Sequence, residues 1–131
     1  MTVTCILPTR DRPARVRAAL ASALAQTHPV QVIVVDDGTD GALALPAHPS
    51  VRLLHTGGAG VAAARNAALA VAEGTFVAFL DDDDAWHPDK IARQLKVMTR
   101  RSELALTFTD YTVSEPDSAS PLATSHRSSV A

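Results

Sequence analysis

The chain has 131 residues, enough for one domain around one core. It is 47% hydrophobic and 20% charged, the composition of an ordinary globular protein, and its net charge of −2 gives no overall attraction to nucleic acid or to an anionic membrane. The lone cysteine, Cys5, excludes an internal disulfide and reads as a buried thiol, which suits a reducing, cytoplasmic setting. No uninterrupted apolar run approaches the ~18 residues of a membrane span. The longest such stretch, VAAARNAALAVA, is broken by Arg65 and Asn66. The N-terminus passes straight into TVTCILP with no charged segment before it, so no signal peptide is expected.

The first predicted element is a buried strand, Thr2 to Leu7, β-branched and stopped at Pro8. A helix follows in DRPARVRAALASALAQT. Asp11 is its expected N-cap, Pro13 suits its first turn, and Val16, Leu20 and Leu24 form an apolar stripe. His28-Pro29 ends it. Val30 to Val35 is a continuous apolar strand followed by the turn DDGTDG. The stretch ALALPAHPS carries two prolines and fits neither element. Val51 to His55 is the third strand, and TGGAG is its glycine-rich turn. VAAARNAALAVAEG reads as an Ala-rich helix closed by Gly74. Thr75 to Leu80 is the fourth strand, and it runs into the acidic turn DDDDAW. PDKIARQLKVMTRR is the third helix, with Pro88 near its start and Arg100 and Arg101 at its end. ELALTFTDY is the expected fifth strand. From Thr112 on, Ser, Thr, Ala and Pro dominate, so residues 1–111 are taken as the domain and 112–131 as a low-complexity tail of loop or disorder.

Strands alternate with helices, and the strands are apolar throughout, as strands covered on both faces are. The predicted fold is therefore α/β, a mostly parallel sheet of about five strands flanked by helices. Ligands of such sheets bind beyond the carboxyl ends of the strands. The chemistry in this sequence lies there. Successive strands end in PTRDR, DDGTD, TGGAG and DDDDAW. The convergence of these turns on one sheet edge carries more weight than any one of them.

Asp81 to Asp84 repel one another unless a cation joins them. Alternate residues of an extended turn point the same way, so Asp81 with Asp83, or Asp82 with Asp84, can aim oxygens at one site. Mg²⁺ and Mn²⁺ use such carboxylates, one or two at a time, with waters and phosphates. The bland alternative is a solvated turn capping the next helix. An EF-hand is excluded: counted from Asp81, the sixth position is Trp86, where glycine is needed, and the twelfth is Ala92, where glutamate is needed. Asp36 and Asp37 can form an Asx-type turn, or accept a hydrogen bond from a ligand N–H such as a nucleobase imide. Arg10 and Arg12 can meet a phosphate or a base, whereas Arg15 and Arg17 read as a solvated face. Arg65 can reach a phosphate or pair with the acidic turn. Trp86 reads as core. The histidines show no metal-ligand spacing. Gly58 to Ala63 match G-x-G-x-x-A, so a nicotinamide or flavin dinucleotide site in an oxidoreductase stands as an alternative.

Taken in order, ILPTRDR, AALASALAQT, VIVVDDGTD, GGAGVAAARNAAL and AEGTFVAFLDDDDAWHPDKI resemble the N-terminal half of a family 2, GT-A-type glycosyltransferase, over about Val3 to Tyr111. The resemblance implies a GT-A, Rossmann-like fold, a UDP- or dTDP-linked sugar donor and a divalent metal, Mn²⁺ or Mg²⁺. By position, Pro8, Thr9 and Arg10 would lie against the nucleoside, Asp37 would bond the base, and Gly60 to Arg65 would line the nucleotide. Asp81 to Asp83 look like the family's Asp-x-Asp region. There Asp83 would be the chief metal ligand, and Asp81 or Asp82 would reach ribose or the metal's water shell. The implied reaction is inverting transfer of the sugar to an acceptor hydroxyl.

Two departures stand out. Asp11 sits where the family often has Asn. The family's acceptor region and its general base lie further along than this chain reaches, and nothing marks Glu115 or Asp117 as that base. The chain looks like a donor-binding half with its C-terminal half missing. It could thus be a transferase needing a partner chain or a homo-oligomer, or a binding module without activity.

Overall fold

The computed structural model describes residues 1–38, 40 and 43–113. The chain divides into two compact units, Met1–Ala92 and Arg93–Ala131. The first unit holds β1 (Val3–Thr9), α1 (Pro13–Leu24), β2 (Gln31–Asp36), β3 (Val51–His55), α2 (Val61–Leu69) and β4 (Phe76–Phe79), and α3 (Lys90–Arg100) begins in it.

The sheet has four strands in the order β3-β2-β1-β4, and every pairing is parallel. β1 is central: Ile6 lies opposite Ile33 of β2 and Phe79 of β4. Each residue of β1 is buried, and so is β2 beyond Gln31. On one face Ile6, Ile33 and Val35 form a core with Ala64 and Ala68 of α2. These alanines are fully buried, and their small side chains bring the helix close to the sheet. Alternation turns Cys5, Leu7, Val32 and Val34 to the opposite face. α1 packs on the same two strands and buries Val16, Ala19, Leu20 and Ala23. Each fully buried aliphatic side chain contributes about 1.5–3 kcal/mol over its exposed state.

Several expectations are corrected. Among the described residues, only β1 and β2 are buried along nearly their whole length. β3 and β4 are edge strands, and Val77 and Phe79 of β4 are exposed. The fifth strand does not form: residues 103–111 contain no strand, and Leu106, Phe108 and Tyr111 are exposed. Their alternating pattern needs a neighbouring ladder to become a strand, and a strand cannot form without one. Asp11 does not cap α1. It adopts φ 54°, and Arg12 takes the N-cap position with no side-chain cap bond, while Pro13 opens the helix as expected. α2 stops at Leu69, well before Gly74. Gly74 instead lets the chain approach β1: its N–H donates to Thr4 Oγ1 at 3.0 Å, and a Cβ there would lie 2.7 Å from the Thr4 backbone nitrogen.

In the second unit, the Gln94 side chain donates to the carbonyl and hydroxyl oxygens of Thr107, both at 3.2 Å. Thr112 and Val113 are exposed without regular structure, and the rest of the predicted tail lies outside the described residues.

Candidate functional site

The sheet order fixes where a site can form. From β1 the chain runs outward through β2 to β3, and then β4 returns to the other side of β1. The carboxyl ends of β1 and β4 thus flank a topological switch point, the usual crevice of an open α/β sheet.

The β2 end is tied to the glycine turn. Gly57, Gly58 and Gly60 have φ of 64°, 83° and 95°, a region open to glycine and costly for other residues. The turn curls its amides around the Asp37 carboxylate. Oδ1 accepts from Thr56 Oγ1 (2.6 Å), Ala59 N (2.8 Å) and Gly58 N (3.1 Å), and Oδ2 accepts from Gly60 N (2.9 Å). This is an anion-binding nest filled by the protein's own carboxylate. The Thr56 hydroxyl, then the Gly60, Ala59 and Gly58 amides, hold Asp37 below the usual carboxylate range against the opposing cost of desolvation. Room for a further donor is left on Oδ2. Asp36 takes the Asx-type role: its Oδ1 accepts from Gly38 N at 2.9 Å, and its Oδ2 lies 3.3 Å from His55 Nδ1.

The acidic turn is divided among its neighbours. Asp82 is buried and accepts from Thr9 Oγ1 (2.8 Å) and Arg12 Nη1 (3.2 Å), so the end of β1 and the N-cap of α1 both hold it. Asp81 Oδ1 accepts from Arg65 Nη2 at 2.6 Å. Asp83 has no hydrogen-bond partner among the described residues. Partial desolvation, then the charges of Asp83, Asp81 and Asp82, raise the Asp84 carboxyl above its usual range. The turn therefore carries negative charge that its own arginines do not fully answer. Among the described residues no three His, Cys, Asp or Glu side chains are arranged to hold a metal ion. A hard cation that binds through one or two carboxylates, completed by water and phosphate, still suits unpaired Asp83 beside half-exposed Asp81.

These groups line one open cleft of about 470 Å³. It brings together Pro8, Thr9 and Arg10 from β1 and its turn, Asp37 just after β2, Gly60 and Arg65 from α2 and its approach, and Asp81, Asp82 and Asp83 after β4. Every site residue expected from the sequence reaches it. Arg12 also lines it. Sequence reasoning left Arg12 without a fixed role and gave Thr56 none. The signal for Thr56 was its place between a strand and a glycine turn, which becomes meaningful once Asp37 is seen to need donors. Trp86 is buried, with Lys90 Nζ 5.1 Å from its ring centroid, in keeping with the core reading. The amides that a dinucleotide pyrophosphate would need at the glycine turn are already donated to Asp37, so that alternative is not favoured.

Comparison with known proteins bears on the same residues. TuaG of Bacillus subtilis (strain 168), a glycosyltransferase assigned to teichuronic acid biosynthesis, is 37% identical over 123 residues, which is 88% of this chain and 48% of TuaG. The crystal structure of S. aureus TarS 1-349 in complex with UDP-GlcNAc is similar, with a TM-score of 0.67 and 28% identity over 78% of this chain and 32% of that one. The mannosyltransferase PcManGT from Pyrobaculum calidifontis, in complex with GDP-Man and Mn²⁺, matches with a TM-score of 0.63 and 31% identity over 73% of this chain and 32% of that one. The chain thus spans about half the length of TuaG and about a third of the TarS 1-349 and PcManGT chains. Residues 4–127 match the glycosyl transferase family 2 pattern, and with the GT-A-like sheet and its cleft this makes the chain a member of that family.

Proposed function

We propose that the cleft binds a nucleotide-diphosphate sugar, UDP- or dTDP-linked, together with Mn²⁺ or Mg²⁺, for inverting transfer of the sugar to an acceptor hydroxyl. One observation carries this reading: successive strand ends and the start of α2 bring Thr9, Asp37, Arg65 and Asp81 to Asp83 to one cleft. The ligands bound in the TarS and PcManGT structures, UDP-GlcNAc and GDP-Man with Mn²⁺, support it.

In this reading Pro8, Thr9 and Arg10 lie against the nucleoside. Asp37 accepts the base imide N–H on Oδ2, since Oδ1 already takes three hydrogen bonds. Gly60 and Arg65 border the diphosphate, and Asp82, fixed by Thr9 and Arg12, faces the ribose. Asp83 with Asp81 would hold the cation, which when bound offsets the charge developing on the departing diphosphate. Arg65 and Arg10 add positive charge beside the same group. The acceptor hydroxyl needs a base within hydrogen-bond reach, and no residue of this chain is assigned that role. Because the chain spans half or less of its relatives, transfer itself belongs to the proposal. Binding without turnover is the second reading, and assaying sugar release alongside binding separates the two. A cytoplasmic setting accompanies the proposal, supported by the lone buried thiol of Cys5, which burial pushes up to about 12.

The test is calorimetric titration of UDP and dTDP in Mn²⁺ and again in EDTA, on the natural chain and on Asp83→Ala. The expected result is metal-dependent binding that weakens by about tenfold or more in the variant, a loss of about 1.4 kcal/mol. Binding indifferent to EDTA and to Asp83 would remove the cation from the reading.

A further inference from the structure

Arg65 is placed unlike the other cations of the cleft. It lies on α2 one residue after the fully buried Ala64, so its starting point is fixed. Its Nη2 sits 2.6 Å from Asp81 Oδ1, whereas its Nε is buried and has no hydrogen-bond partner. Its side chain is about one-third exposed and borders the cleft. The guanidinium therefore spends one edge on Asp81 and leaves a buried donor unsatisfied, an arrangement that a second acceptor would improve. This ion pair occupies Asp81 Oδ1 and offsets part of the carboxylate's charge, which weakens its pull on a metal ion. Asp83, two residues on, is unpaired.

We propose that Arg65 is a positioning residue that competes with the divalent cation for Asp81. A diphosphate entering the cleft draws the guanidinium to itself, since a planar fork bonds phosphate oxygens well. That frees Asp81 to join Asp83 on the cation. Cation and diphosphate then bind as a coupled pair, each tightening the other by the same factor. This rests on the donor-site reading and adds to it the coupling of its two ligands through Arg65.

The experiment measures Mn²⁺ affinity by electron paramagnetic resonance with and without UDP. It uses the natural chain, Arg65→Ala, Asp81→Asn and the double variant, with circular dichroism confirming the fold of each. In the natural chain UDP should tighten Mn²⁺ by about fivefold or more, within the usual range of coupling between sites. Arg65→Ala should bind Mn²⁺ more tightly without UDP, and its UDP effect should shrink. Removing a positive charge could tighten Mn²⁺ without any competition, so the double variant decides. In the Asp81→Asn background, Arg65→Ala should leave Mn²⁺ affinity unchanged. Arg65→Lys, which keeps the charge but loses the fork, should fall between the natural chain and Arg65→Ala. An equal effect of Arg65→Ala with and without Asp81 overturns the competition and leaves the donor site standing. Failure of the natural chain to bind Mn²⁺ or UDP under any condition overturns the donor-site reading and this inference with it.

Discussion

Asp37 is the residue on which the cleft turns, and its ionisation has a consequence that can be measured. Its carboxylate is held below the usual range by the Thr56 hydroxyl and the Gly60, Ala59 and Gly58 amides. A depressed acid favours the native state wherever the unfolded chain would bind the proton first. The contribution is fully present above the ordinary aspartate value of about 3.9 and fades as pH falls through the native value. Asp37→Asn should therefore lower stability at pH 7 and flatten the acid side of the stability profile. Urea midpoints measured between pH 7 and pH 3 check both outcomes. An unchanged acid slope would mean that the nest does not depend on the charge. At this scale the sequence was legible in residue type and opaque in partnership. The two aspartates after the second strand were visible as ligand-type or turn-type groups. The Asp36 bond to Gly38 is the local Asx-type turn, whereas the glycine amides that Asp37 gathers lie some twenty positions away, which local patterns do not report. In the same way, Arg12 gained its role only when β4 brought Asp82 beside it.

At the scale of elements, β1, β2, β3, β4 and the three helices were readable from apolar runs, prolines and glycines, with ends shifted by a few residues. The misses share a cause. Gly74 was read as a helix stop because it follows an alanine-rich run, but its role is contact between strands: a side chain there would collide with Thr4 and with the Phe76 carbonyl oxygen. Gly74→Ala should cost about 1–3 kcal/mol, the usual range for an overpacked site. Chemical denaturation would show this, and a loss below about 0.5 kcal/mol, the ordinary range for surface substitutions, would mean that the strand relaxes freely. The absent fifth strand makes the same point from the other side. Residues 103–111 have strand-like alternation, yet a ladder needs two members. Asp11 shows a third version, since a good capping residue at φ 54° cannot reach the helix amides.

On the scale of the whole molecule, the sheet is asymmetric. Its centre is closed by helices, whereas β4 is an edge strand that exposes Val77 and Phe79. Exposed apolar residues on an edge strand favour pairing with another chain. We expect the protein to self-associate as concentration rises and Phe79→Lys to suppress this, as followed by sedimentation velocity. A natural chain that stays monomeric at all concentrations would remove the edge as a contact. The parallel architecture was legible because two of its strands are apolar on both faces. The exposed edges were not, since an edge strand and a buried one can carry the same apolar run.

The Thr9–Asp82 hydrogen bond joins residues 73 apart in sequence, and Thr4 meets Gly74 across 70. Chain order thus becomes time order. As the polypeptide leaves the ribosome, β1, β2, β3 and α2 emerge first, already carrying Thr9, Asp37 and the glycine turn that surrounds it. Only when β4 returns to the far side of β1 does the acidic turn arrive. Closing so long a loop is among the slower steps of folding. A nascent chain stopped before Phe76 would hold most of the residues that line the cleft and none of its carboxylate turn. In the donor-site reading, the capacity to take up a ligand waits for the return of β4, and its appearance reports completion of the sheet.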